Sequence, residues 1–221
     1  MVLQTSASLV AMGLVLFLSA GDWRWIEAWV YLAAMAVSSF AMGFWLLRRD
    51  PALLAARLSS PIQKDQRPWD RVFMAIAFLA FFAWMILMGF DAVRFAWSET
   101  SVWLEVLGLT LIALCMLICW RVFRVNTFAA PQVRMQGRRN HGVVTDGPYR
   151  YVRHPMYAGA LLYFLGVPLL LGSWCAFVLF PLVAIGLGAR AVGEERMLRS
   201  KLTDYDIYMR RVRFRFIPYV W

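Results

Sequence analysis

Long apolar runs, almost free of charge, govern what this chain can fold into. Four of them lie at about residues 3–20, 28–47, 72–90 and 102–120. Each matches the roughly 17–25 residues that carry a helix across a bilayer. A fifth run, 158–189, is too long for one pass and barely long enough for two. Gly172-Ser173 sits near its middle, so a tight helical hairpin is expected there. Lipid offers no water to satisfy an open backbone, which makes these runs helices. The first run is not expected to be a signal peptide, because "MVLQTSAS" carries no positive charge. The expected fold is an all-α integral membrane protein: about four transmembrane helices plus a C-terminal helical hairpin, with a structured cytoplasmic linker and tail.

Composition agrees, with 62% hydrophobic and only 16% charged residues, where a soluble domain has about a quarter charged. The net charge of +10 is informative through its placement. Segment 48–71 holds six Lys/Arg, 121–157 seven and the tail from Arg190 eight, against one each in 21–27 and 91–101. Positive loops stay on the cytoplasmic side. The N-terminus, both long loops and the tail are therefore expected inside, after an even number of crossings. The same charge serves attraction to anionic lipid headgroups, and nucleic acid is not an expected partner. Cys115, Cys119 and Cys175 lie in apolar runs, and His141 and His154 are the only histidines. No metal is expected from that set, since a catalytic zinc needs three protein ligands.

The two halves differ in kind. Residues 1–120 read as a transmembrane helical region, with Glu105 near a helix start where it can cap or snorkel. "PALLAARL" in the first basic loop reads as a short interfacial helix. Residues 121–221 hold a polar linker, the hairpin and a basic tail. In the linker, 142–145 forms a β-like run and Asp146-Gly147-Pro148 a turn. Near the end, Arg211, Arg213 and Arg215 alternate with Val212, Phe214 and Phe216, the pattern of an extended segment with one covered face. Gly186, Gly188 and Ala191 formally match a dinucleotide fingerprint. That motif needs a preceding strand, so small residues for close helix contact are the better reading.

Chemistry concentrates at the hairpin's two ends. Pro155 suits the first turn of a helix and sets His154 at its start. Arg190 and Glu194 stand four apart and share a helix face, with Glu195 adding a second carboxylate. A surface ion pair and an interfacial belt of Tyr149, Tyr151 and Tyr157 are the alternatives to a ligand site here.

Taken together, "HGVVTDGPYRYVRHPMYAG", "EERML" and "YDIYMRRVRFRFIP" resemble the isoprenylcysteine carboxyl methyltransferase family, related to membrane phospholipid N-methyltransferases. The resemblance spans roughly residues 120–218. It implies S-adenosylmethionine as cofactor, bound without a Rossmann domain. It places cofactor contacts at His141, Gly142, Val143, Val144, Tyr149, His154, Pro155, Met156, Tyr157 and Glu194. It also sets Arg190 against a carboxylate substrate; Gln132 and Gln136 are both candidates for a further glutamine contact. The implied acceptor is lipophilic and reaches the site from the bilayer at the cytoplasmic face. Three other readings stay open: a phospholipid N- or thiol S-methyltransferase, a nicotinamide-dependent membrane sterol reductase, and a lipid-binding scaffold.

Overall fold

A computed structural model describes residues 1–58, 68–126, 143–202 and 204–221. Its helices are α1 (Val2–Ala20), α2 (Ile26–Arg49), α3 (Pro51–Leu58), α4 (Pro68–Gly89), α5 (Val102–Val125), α6 (Pro155–Leu171), α7 (Phe180–Lys201) and α8 (Tyr205–Arg211). A π-helical turn, Phe90–Arg94, extends α4, and short 3-10 turns occupy Gly147–Arg150 and Cys175–Leu179. No strand occurs among the described residues. Five helical segments are long and apolar enough to cross a membrane, and α6 is a shorter apolar helix beside them. The protein is an all-α integral membrane protein of four spans plus the α6–α7 hairpin.

The hairpin turns at Gly172, whose φ of 79° lies in the left-handed region. A residue with a Cβ adopts that conformation reluctantly. Gly172 and Ser173 both donate their backbone N–H to the Pro168 carbonyl, closing the helix end. The arms are longer than the apolar run predicted. α6 begins at Pro155, and α7 continues to Lys201, well past the end of the uncharged 158–189 run.

Between helices in lipid there is little hydrophobic drive, so close backbone approach carries the packing. The α5–α6 seam shows it most plainly. A Cβ on Gly108 would lie 2.4 Å from the Leu170 nitrogen, and one on Gly166 would lie 2.7 Å from the Gly108 carbonyl oxygen. Around this seam Leu16, Tyr31, Trp84, Met88, Ile112 and Val167 form the main core. Polar groups inside it are satisfied: the Tyr31 and Tyr163 hydroxyls meet at 2.5 Å, and the Trp84 indole donates to the Ala176 carbonyl at 3.0 Å. Leu3, Val37, Leu79 and Ile185 point outward instead, as lipid-facing residues do.

The bundle has two unlike ends. At one, Trp23, Trp97, Trp103 and Trp174 are exposed, as in an interfacial aromatic belt. There the buried Asp91 carboxylate accepts hydrogen bonds from Ser98, Ser173 and the Cys175 N–H, tying α4 to the hairpin turn. Glu105 sits at this end too, accepting from Thr100 at 3.4 Å. At the opposite end α3 packs as the expected short helix, with Leu53 and Leu54 buried and Arg57 stacked 4.4 Å over Phe123. The starts of α4 and α6, the ends of α5 and α7, and α8 gather at this second end.

Two expectations for the linker and tail need correction. Val143–Thr145 forms no strand, and no strand occurs among the other described residues to pair with it; Gly142 lies outside the described residues. In the tail, Val212 and Phe216 are buried while Arg211 and Arg213 are exposed, as alternation predicts. Arg215 breaks the pattern by turning inward to a carboxylate.

Candidate active site

The site begins where two chain segments meet edge to edge. The backbone N–H groups of Arg153 and His154 donate to the carbonyls of Phe214 and Arg215, each at 2.9 Å. This pairing sets His154 at the N-cap of α6, with Pro155 at the first helical position. Position N1 has no intrahelical partner for its N–H, so proline costs nothing there. Tyr157 follows three residues after His154, on the same helix face. The two rings stack with centroids 5.3 Å apart and planes 3° from parallel. Phe216 of the tail closes edge-on against both.

α7 brings its two carboxylates to opposite sides of this stack. Glu195 is the anchor. Its Oε1 accepts from Arg153 Nε at 2.7 Å and lies 3.2 Å from His154 Nε2, while its Oε2 accepts from Arg215 Nε at 3.0 Å. Arg153 also donates to the Val212 and Arg213 carbonyls at 2.9 and 2.8 Å. Glu194 faces the other way. It accepts the Tyr157 hydroxyl, lies 3.6 Å from His154 Nδ1 and 3.4 Å from Arg190 Nε. The exposure of the two side chains separates their roles: 20% for Glu194 and 5% for Glu195. Glu195 is consumed by internal partners; Glu194 keeps an open side.

Arg190 is held from both flanks. Its Nη2 lies 3.1 Å from Asp70 Oδ1, and its Nη1 donates to the Met74 sulfur at 3.4 Å. The guanidinium also sits 5.3 Å from the Phe73 ring centroid and 6.0 Å from that of Tyr157. Three arginines (153, 190, 215) thus meet three carboxylates (70, 194, 195) around His154. A cluster this buried needs such pairing, because unpaired charge out of water is costly.

The remaining sequence candidates divide. Tyr149 lies at the edge of the cluster: its hydroxyl accepts from Asn126 at 2.6 Å and its carbonyl accepts from the Tyr208 hydroxyl at 2.8 Å. Burial pushes the Tyr149 phenol up to about 12, against the lowering effect of the Asn126 bond. Burial likewise raises Tyr205 and Tyr208, so all three stay neutral near pH 7. Met156 does not join the stack; it packs against the apolar cluster of Leu46, Leu53, Leu54, Val122 and Phe123. Val143 packs on Tyr205, Tyr208 and Val212, and Val144 is half-buried beside it in the chain. His141, Gly142, Gln132 and Gln136 lie outside the described residues.

Sequence reasoning gave no site role to Asp70, Arg153, Glu195 or Arg215. The E-E doublet was the available signal for Glu195; alternation turned Arg215 outward and gave none for it. Asp70 left none beyond being an acid in the first turn of a helix. A separate cavity of about 360 Å³ opens at the aromatic end, lined by Asp22, Arg24, Glu27, Thr100 and Glu105 among others, and shares no residue with this cluster.

Fold and site together define a helical membrane protein with a charged, aromatic-walled cluster at one end of its hairpin. Residues 103–204 match the family model of the phospholipid methyltransferases, a little under half of the chain. That range holds His154, Tyr157, Arg190, Glu194 and Glu195, and leaves Asp70 and Arg215 outside. Over 82 residues the chain is 39% identical to the protein-S-isoprenylcysteine O-methyltransferase of Schizosaccharomyces pombe, covering 36% of this chain and 35% of that protein. Over 78 residues it is 35% identical to the cobalt-zinc-cadmium resistance protein CzcN of Cupriavidus metallidurans, covering 35% of this chain and 36% of that protein. The chain thus spans about a third of the length of the curated relatives it matches. These matches support the resemblance to the isoprenylcysteine carboxyl methyltransferase family carried by the R-H-P-x-Y and E-E motifs.

Proposed function

We propose that this protein is an S-adenosylmethionine-dependent membrane methyltransferase that methylates a lipophilic acceptor, a carboxylate, at the cytoplasmic membrane face. The observation that carries the reading is the partly open Glu194, fixed by Tyr157 and Arg190 beside the His154 ring. The phospholipid methyltransferase model matched over residues 103–204 and the isoprenylcysteine methyltransferase relative support it.

The residues present fit such a cofactor. Glu194 offers a carboxylate to an ammonium or hydroxyl group, and the stacked His154 and Tyr157 rings offer an aromatic wall to a cationic centre. Bound there, the cofactor supplies an electrophilic methyl group on a sulfonium. Tyr157 and Arg190 orient the Glu194 carboxylate, Glu195 fixes the His154 ring, and Phe216 walls the site from water. A carboxylate acceptor is ionised near neutral pH, so no side chain has to remove a proton from it. Arg190 holds such an acceptor through its planar fork, and positioning plus water exclusion do the rest. For an amine or thiol acceptor a proton must leave, and His154 is the base within reach.

Charge supports this orientation: the 48–71 and 121–157 segments and the tail from Arg190 are basic, as cytoplasmic loops are. The test is to incubate membranes with methyl-labelled adenosylmethionine, with and without this protein, and to identify the labelled product. The expected product is lipid-extractable and releases labelled methanol in mild base, as a methyl ester does. Label in a base-stable lipid amine would overturn the carboxylate assignment. Protein that binds a nicotinamide dinucleotide and not adenosylmethionine would overturn the methyltransferase reading.

A further inference from the structure

The first turns of α4 make a second wall to the site, and they lie outside the stretch matched by known families. Asp70 and Met74 are one helical turn apart, so they project from one face of α4. Both reach Arg190: Asp70 at Nη2, 3.1 Å, and Met74 at Nη1, 3.4 Å. Phe73, between them, carries the guanidinium on its ring face and lies against Gly186 of α7, where a Cβ would come within 3.3 Å of the ring. The Nη1–Nη2 edge is the edge that a planar carboxylate grips with two parallel hydrogen bonds. The Asp70 carboxylate oxygen and the Met74 thioether sulfur, a weak acceptor, both lie on that edge.

We propose that Asp70 is a specificity-determining residue that stands in for the acceptor carboxylate. It holds Arg190 in register while the acceptor is absent and must yield Nη2 when an acceptor carboxylate takes the edge. The thioether of Met74 yields the Nη1 side at little cost. Phe73 and the small Gly186 then form the wall along which the acceptor's apolar chain enters from lipid. This rests on the reading of the cluster as a methyl-transfer site with an anionic acceptor.

Asp70 is fully buried, and a carboxylate so close to the acceptor's own charge opposes its binding. Asp70→Asn removes that opposition while keeping the side chain's size. The test measures binding of N-acetyl-S-farnesylcysteine to detergent-solubilised protein, so it does not depend on turnover. Asp70→Asn is expected to bind this acid about tenfold more tightly, and to bind its uncharged amide no better than the parent protein does. Met74→Glu, which adds a carboxylate at the other half of the edge, is expected to weaken binding of the acid about tenfold. Thermal melting of each variant without ligand reports that it is folded. Unchanged or weaker acid binding in folded Asp70→Asn would overturn the proposal. Should that variant not fold, unchanged binding by Met74→Glu overturns it alone. Tighter acid binding without any methyl transfer would keep this subsite and remove the methyltransferase reading instead.

Discussion

Two adjacent glutamates of identical chemistry should fail in different ways when neutralised. Glu195 accepts from Arg153 at 2.7 Å and from Arg215 at 3.0 Å, and only 5% of its side chain is exposed. Replacing it with glutamine leaves a buried arginine without its counter-charge. Removing one partner of a buried pair costs about 3–5 kcal/mol. Arg153 keeps its two carbonyl acceptors, and glutamine keeps one oxygen. The expected loss is therefore about 2–3 kcal/mol, made of one to two charged hydrogen bonds. For a chain of this size that lowers Tm by roughly 4–12 °C, at about 2–4 °C per kcal/mol. Glu194→Gln should instead lower Tm by only a few degrees, because its side chain is 20% exposed. Its cost should fall on adenosylmethionine affinity, at about 1–3 kcal/mol for a lost charged contact. Both quantities are read from detergent-solubilised protein, by thermal melting without ligand and by calorimetry with it. A Glu195→Gln protein that melts like the parent would refute the anchor role. Equal Tm losses in both variants would refute the division of labour between them.

Other predictions follow from named contacts. Gly108→Ala drives a methyl into the Leu170 backbone and should cost about 1–3 kcal/mol as an overpacked core does; Gly13→Ala, facing only the flexible end of Leu32 at 3.3 Å, should melt within a few degrees of the parent. In a cysteine-free background, a cysteine at exposed Tyr151 should resist impermeant reagents applied to intact cells while one at exposed Trp23 reacts; the reverse pattern would invert the orientation. Arg190→Lys keeps the charge and loses the fork, so turnover on a carboxylate acceptor should fall roughly 10²-fold with cofactor affinity nearly unchanged. Near-normal turnover in that variant would point to an amine or thiol acceptor.

Much of the fold was legible because each span is a local property of the chain. The apolar runs, the glycine at the hairpin turn and Pro155 each act within a few residues of themselves. The Arg190–Glu194 pair was also legible, since four-residue spacing places it on a shared helix face; the His154–Tyr157 stack was not read from spacing. The same period explains where the Met156 side chain lies: two residues from His154, it points to the far side of α6 and into the apolar cluster. Asp70 was not legible, because its meaning depends on α4 lying beside α7, two helices more than a hundred residues apart. Arg215 was hidden by a correct pattern, since alternation predicts its covered neighbours and not the carboxylate that draws it inward. The β-like run, where it is described at 143–145, forms no strand: so short a pattern says nothing of a pairing partner.

The pairing of Arg153 and His154 with Phe214 and Arg215 also separates two parts of assembly. Every described helix long and apolar enough to cross the bilayer lies N-terminal to residues 212–216. Without those residues His154 lacks its backbone acceptor, Glu195 lacks Arg215, and the aromatic stack lacks Phe216. A chain cut before that point keeps the spans that hold it in the membrane but carries an unfinished pocket. Membrane insertion and pocket completion therefore rest on different stretches of the chain, and a loss of the tail would undo the second without reversing the first.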